Sequence, residues 1–140
     1  MSTFAAQIAA FGTKAKEKQI QALKKVSFEM FGRVIMRSPV DKGRFRGNWQ
    51  ATIGQPAAGE VDVVDEGPVN AGGSLSGSGE AVANMAVVVL GADNPTHFYL
   101  TNTLPYAAKL EYKQHSDQAP AGMVRVTASE FAGVVGEMEL

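Results

Sequence analysis

Residues 38–53 read SPVDKGRFRGNWQATI, and the fold turns on how that stretch is parsed. Ser38-Pro39 ends any helix that precedes it, because the residue before a proline is pushed out of the α region. Val40-Asp41-Lys42-Gly43 has turn chemistry: Asp41 can bond its own backbone and Gly43 is available for positive φ, so the chain reverses there. Beyond the turn, Phe45, Gly47, Trp49, Ala51 and Ile53 alternate with Arg44, Arg46, Asn48, Gln50 and Thr52. That period of two predicts a strand with one buried face, anchored in the core by Trp49. Over Arg44 to Gly47 alone the alternation is too short to separate a strand from a tight turn leading into one.

Upstream, Ile20, Leu23, Ser27, Met30 and Val34 recur at helical spacing, with Lys14, Lys18, Gln21 and Lys25 on the opposite side. The pattern predicts an amphipathic helix over 14–37. Phe28, Phe31 and Ile35 widen its apolar face, so burial should deepen toward Pro39 while the Lys14 end protrudes. Phe4, Ile8 and Phe11 form a separate stripe that, in one continuous helix, would point roughly 100° away from the later one at ~100° per residue. A break at Gly12 with Thr13 as N-cap is therefore expected, leaving residues 1–12 as an arm that packs on a neighbouring subunit.

Downstream, residues 54–79 shift to Gly, Pro, Ser and acids, including Gly72-Gly73-Ser74 and Ser76-Gly77-Ser78-Gly79. They read as a flexible acidic loop in which only Val61 to Asp65 looks strand-like. Val82, Met85, Ala86 and Val89 predict a helix over 80–90 that ends near Gly91, although Val87-Val88-Val89 would also suit a strand. Thr96 to Asn102 alternates and should pair with the Trp49 strand. Pro105 opens a short helix on which Tyr106 and Leu110 share a face. A last helix is expected to bury Val124, Ala128, Phe131 and Val135 and to end at Gly136. The sum is one α+β domain over 1–140, a small and mainly antiparallel sheet packed with a long N-terminal helix and a C-terminal helix.

Composition bounds the function. The chain has 140 residues and 14.8 kDa, enough for one core, with 45% hydrophobic and 19% charged residues and no Cys. Thiolate metal sites, disulfides and Cys nucleophiles are excluded. The longest apolar run, Met85 to Leu90, is far below the ~20 residues a membrane span needs, and the first residues lack the features of a signal peptide, so synthesis in the cytoplasm is expected. The net charge of -1 conceals sorting: residues 1–50 hold ten Lys and Arg and three acids, while no Lys or Arg occurs between Arg46 and Lys109. Such a chain should fold into an electrically polar object unless the tertiary structure interleaves its segments.

Catalytic signatures are missing. The two histidines, His97 and His115, sit in no HExxH motif, and no GxSxG or phosphate-binding glycine loop occurs. His115 with Asp117 has the makings of an acid/base pair, but alternate residues in a polar loop face water rather than each other. Tyr106, Glu111 and Tyr112 read as amphipathic packing with a polar rim more readily than as a pocket. DNA binding by an accessory protein through Lys14, Lys18, Lys25, Arg44 and Arg46 is the stronger competitor. The pI of about 6.1 and the acid-rich middle weigh against it.

Two stretches together are more specific: residues 38–49, SPVDKGRFRGNW, and residues 101–112, TNTLPYAAKLEY, continuing to SDQAPAGMVR at 116–125. In order and spacing they resemble the tail-completion, or head-tail joining, proteins of long-tailed bacteriophages, relatives of the minor tail protein Z group. The resemblance implies a virion structural protein without catalytic residues, cofactor, metal or membrane. It would form a ring, typically of six copies, at the neck between the head connector or stopper and the tail terminator or tail tube. Double-stranded DNA would pass through the lumen without sequence readout. By the same resemblance Pro39, Asp41 and Gly43 shape the turn, Arg44 and Arg46 extend from it, and Trp49 fills the core. Tyr106, Glu111 and Pro120 fix the late loop, with Glu111 as a partner for Arg44 or Arg46. Relatives usually have a glycine soon after the position of Tyr112, where this chain has Lys113-Gln114. Phe4, Ile8, Phe11, Lys14, Lys18, Lys25, Arg44 and Arg46 are the expected interaction residues, since a protruding basic helix and a segregated charge distribution favour contacts between unlike surfaces.

Overall fold

The computed structural model describes residues 3–113 and 116–138. The first element, α1 (Phe4–Arg37), is a single helix of 34 residues, about 51 Å long at 1.5 Å per residue. Thr3 caps it by accepting a hydrogen bond from the Ala6 amide at 3.2 Å, and Ser38 ends it before Pro39. The expected break at Gly12 does not occur. One exposed glycine costs a helix only about 1 kcal/mol, and Ala5, Ala6, Ala9, Ala10 and Ala15 around it are the best of helix formers. Thr13, expected as a cap, instead turns its hydroxyl back to the Ala9 carbonyl at 3.1 Å. The arm is therefore a rigid continuation of the shaft. Burial deepens along α1 as its periodicity predicts, from residues 4–14, all exposed, to Val34, Ile35 and Met36 in the core.

After the turn, Arg44–Gly47 is a single helical turn, α2, and the strand β1 (Trp49–Ile53) begins only beyond Asn48. Of the two readings of this run, the tight turn is the one adopted. β1 pairs antiparallel with β2 (Phe98–Asn102) in the register Trp49 to Asn102, Ala51 to Leu100 and Ile53 to Phe98. The helix α3 (Glu80–Leu90) packs on both α1 and β1. Its Val82, Met85 and Val89 face inward while Val87 is 75% exposed, so helical phase overrides the β-branched run. The chain then forms α4 (Ala107–Tyr112), α5 (Val124–Ala128) and α6 (Phe131–Glu137). The fold is a small α+β one, with a long N-terminal helix, a two-stranded antiparallel sheet and helices at the C-terminal end.

The core has two lobes. Val34, Phe45, Leu104, Leu110 and Met123 form one, and Ile35, Met36, Val82, Met85 and Val89 the other; Trp49 and Leu100 pack against both. Trp49 is thus half-buried at the seam, where its indole N–H donates to Ser38 Oγ at 2.7 Å.

Two further expectations need correction. The C-terminal stripe faces the other way: Val124, Ala128 and Phe131 are exposed, while Met123, Thr127 and Val134 are buried. A turn at Ser129-Glu130 splits the predicted helix, and Arg37 draws Thr127 and Glu130 toward α1. Residues 54–79 are irregular but anchored, and Val61 to Asp65 is no strand. The Val61 amide donates to Asn48 Oδ1 and the Asp65 amide to the Gly43 carbonyl, both at 3.0 Å, so this segment follows α2 instead of joining the sheet.

Candidate functional site

The turn that joins α1 to β1 is the centre of the expected motif. Gly43 has φ 79° and ψ 0°, and a Cβ built on it would lie 2.7 Å from the backbone of Asp65, so both conformation and space require glycine. Asp41 does not shape the turn as expected: it is exposed, and its carboxylate has no hydrogen-bond partner among the described residues. The clamp comes from across the molecule. Gln118 donates from its side-chain amide to the Val40 carbonyl at 3.0 Å and accepts from the Val40 amide at 2.7 Å. Phe45 meets Trp49 edge-on at 5.7 Å and Tyr106 at 6.0 Å between ring centroids. Residues from the two distant motif stretches therefore lie against one another, with an open cleft between them lined by Pro39, Val40, Arg44, Phe45, Tyr106 and Leu110.

The single turn of α2 aims Arg46 inward, contrary to its expected role as an outward interaction residue. It is 0% exposed. Its guanidinium donates to the carbonyls of Gly67 at 2.8 Å, Ser38 at 3.2 Å and Met36 at 3.3 Å, and lies 3.8 Å from Asp65 Oδ1. Arg46 Nε has no partner among the described residues. Burial holds the guanidinium pKa below its ordinary value, with the Asp65 charge opposing that shift. Asp65 in turn accepts from the amides of Gly67 at 3.0 Å and Ala81 at 2.9 Å, the latter in the first turn of α3, where negative charge is favoured. One ion pair thus ties α1, α2, the acidic segment and α3 together.

Glu111 was expected to pair with Arg44 or Arg46. It pairs with neither. It is buried under the start of α5, where it accepts from the amides of Met123 at 3.1 Å and Val124 at 2.6 Å and from Arg125 Nε at 3.1 Å. Gly122, at φ +84°, gives it room, since a Cβ there would sit 1.9 Å from Glu111 Oε2. Glu111 acts as the cap of a helix that begins twelve or more residues later. Arg44 pairs at the surface with Glu60 at 2.6 Å. Pro120 is exposed, next to the buried Ala119, and Pro39 is buried. The expected departure at Lys113-Gln114 lies partly outside the described residues, as does His115; His97 is exposed beside Thr96, and Asp117 is exposed.

Sequence reasoning missed three groups. Arg37 is buried and grips Glu130 through two bonds of 2.5 and 2.9 Å, together with Thr127 Oγ1 at 2.8 Å and the carbonyls of Ala71 and Gly72. The Arg37 guanidinium holds the Glu130 carboxyl below the usual carboxylate range, with Arg33 adding to it. Asn48, fully buried, donates to Asn102 Oδ1 at 2.9 Å and fixes the start of the two-stranded ladder. Ser38 receives the Trp49 indole and donates to the Val34 carbonyl at 2.8 Å. Arg37 and Ser38 carry a sequence signal, as polar residues directly after the apolar run Val34-Ile35-Met36; Asn48, among Arg46, Gly47 and Gln50, carries none.

Interleaving cancels much of the charge sorting. Arg33, Arg37, Arg44 and Arg46 each meet an acid from beyond residue 59. Lys14, Lys18 and Lys25 stand exposed on the shaft, and Phe4, Ile8 and Phe11 near its tip are 77%, 56% and 74% exposed. Among the described residues, no group of three His, Asp or Glu is placed to hold a metal ion, and no helix is long and apolar enough to cross a membrane. The arrangement presents surfaces and fixed turns. Comparison with family models, curated proteins and solved structures finds no match to this chain.

Proposed function

We propose that this chain is a structural protein of the neck of a tailed bacteriophage, forming a homo-oligomeric ring, of six copies by resemblance, that completes the tail and joins it to the head connector. In this reading the chain is not an enzyme, and it works in the virion by mating with copies of itself and with adjacent neck and tail proteins around the DNA passage. The observation that carries it is the meeting of the two motif stretches: Val40 with Gln118, and Phe45 with Tyr106, bring residues more than sixty positions apart into one compact unit. Contact between the two stretches supports reading them as parts of one motif. The rigid, exposed shaft of α1 adds to this support, because an isolated monomer gains nothing from three bare apolar side chains held in water.

The test is genetic and visual. Deleting the gene from the phage that encodes it should give DNA-filled heads and separate tails by electron microscopy, with joining restored when the protein is supplied. Normal joined particles would overturn the reading. If the chain were instead a DNA-binding accessory protein using Lys14, Lys18 and Lys25, the isolated monomer would bind duplex DNA with a steep salt dependence.

A further inference from the structure

The phase of α1 is the starting point. At 100° per residue, Phe4, Ile8, Phe11 and Ala15 fall within about 60° of one another, while the face that meets the body, from Ile20 to Val34, is centred roughly 100° away. Because the helix runs straight through Gly12, the first stripe cannot turn back onto its own core. It points sideways from a shaft whose residues 4–14 are all exposed, with the exposed Lys14 and Lys18 on its flank.

Elsewhere the same chain carries a surface of the opposite kind. Among the described residues the sheet has two strands, and one edge of β1 has no strand beside it. Beside β1, the segment around Val61 and the helix α3 form an open, mainly apolar groove of ≈ 230 Å³, with Trp49, Ala51, Val61, Val63, Met85 and Val88 in its lining and Gln50, Thr52 and Asn84 among them. Its volume suits an aromatic side chain. Val64 and Val87 are exposed on the same segment and helix, and Asp62 and Glu66 are exposed acids of that segment, whereas Glu60 is already paired with Arg44.

We infer that the stripe of one copy packs on this surface of a second copy, Phe11 filling the groove and Phe4 and Ile8 lying on the apolar surface beside it, with Lys14 and Lys18 against the second copy's Asp62 and Glu66. The inference rests on the ring reading above and adds the two surfaces that mate. Charge complementarity selects the occupant: two shafts paired with each other would set lysines against lysines, whereas shaft against acidic segment sets unlike charges together. The two surfaces are different patches of one chain, so the contact is heterologous and repeats around a ring or along a filament.

Complementation of two reversed chains tests it. One chain carries Lys14→Glu and Lys18→Glu, the other Asp62→Lys and Glu66→Lys; circular dichroism checks that each is folded, and sedimentation velocity reads assembly. Each alone should associate at least about tenfold more weakly than the unaltered chain, because like charges then face each other across the contact. An equimolar mixture should regain assembly, since each reversed surface finds its complement on the other chain. Phe11→Ser should weaken association in a way that mixing does not repair. Wild-type assembly by either reversed chain alone, no recovery in the mixture, or an unaltered chain that stays monomeric at every concentration would each overturn the inference. Oligomers that ignore the reversals would leave the neck assignment standing, and joined particles from the gene deletion would remove that assignment instead.

Discussion

The two halves of α1 use positive charge in opposite ways. In the C-terminal half, Arg33 and Arg37 reach acids and carbonyls of distant segments, and Arg46, just past the turn, does the same from a fully buried position. In the N-terminal half, Lys14 and Lys18 stand in solvent on the same shaft as the bare Phe4 and Phe11. Residue type matches task. A guanidinium is planar, weakly hydrated and able to bond several oxygens at once, which suits a buried junction; an ammonium on a flexible stem remains hydrated and releases water at modest cost when a partner arrives. One end of the helix is built to hold this chain together, and the other has no role in doing so.

The strongest test of that contrast is Arg46→Ala. Removing the guanidinium leaves Asp65 buried without its counter-charge and takes a donor from the carbonyls of Ser38 and Gly67, while the Met36 carbonyl keeps the Asn70 amide; breaking a buried pair in this way costs about 3 to 5 kcal/mol. A loss of unfolding free energy below about 1 kcal/mol, taken from urea midpoint and slope together, would show the junction to be ornamental. Arg46→Lys should rescue little, because one ammonium cannot span the carbonyls of Met36, Ser38 and Gly67 together. Trp49→Ala comes next, at about 3 kcal/mol, near the lower end for an aromatic truncation because the ring is only half-buried, even though its bond to Ser38 is lost as well. As this is the chain's one tryptophan, the transition must be followed by circular dichroism.

The Arg37–Glu130 clasp sharpens the comparison by pH. Its carboxyl is held below the ordinary range by Arg37, so the folded state binds a proton less readily there than the unfolded state. The stabilisation is then complete above the ordinary glutamate pKa of about 4.3 and is lost as pH falls through the lowered folded-state value. Glu130→Gln should flatten that part of the acid-side stability profile and leave stability near pH 7 reduced by a smaller amount than either substitution above.

How much of this was legible follows from the range of each signal. Periodicity is local, and it located the buried end of α1, the helix over Glu80–Leu90 and the pairing of the Trp49 and Phe98 strands. It failed where a polar side chain occupies a core position. Thr127 is buried because its hydroxyl accepts from Arg37, ninety residues away, so a search for an apolar stripe chose the exposed face of α5 and α6. Arg46 failed for a related reason: Arg-Phe-Arg-Gly alternates like a strand, yet one turn of helix points its second arginine at Asp65 across a segment that composition marks only as loop. Glu111 was recognised as important and given the wrong partner, since the helix it caps starts with no serine, threonine or aspartate of its own to announce it.

Gly12→Ala is the smallest predicted effect and bears on the other end of the helix. A Cβ at Gly12 meets nothing within 4 Å, and the backbone there is already helical, so the change acts through propensity alone. Alanine should stabilise the helical arm by about 1 kcal/mol, which is roughly a fivefold slowing of amide hydrogen exchange in the turns around it. The global unfolding midpoint should hardly move, because the exposed arm opens and closes without the body and its stability is not part of the cooperative core. If Gly12 were instead a hinge that lets the arm swing onto its neighbour, alanine would weaken assembly. A rigid shaft predicts the reverse: association unchanged or tighter, since an arm already ordered loses less freedom when it docks.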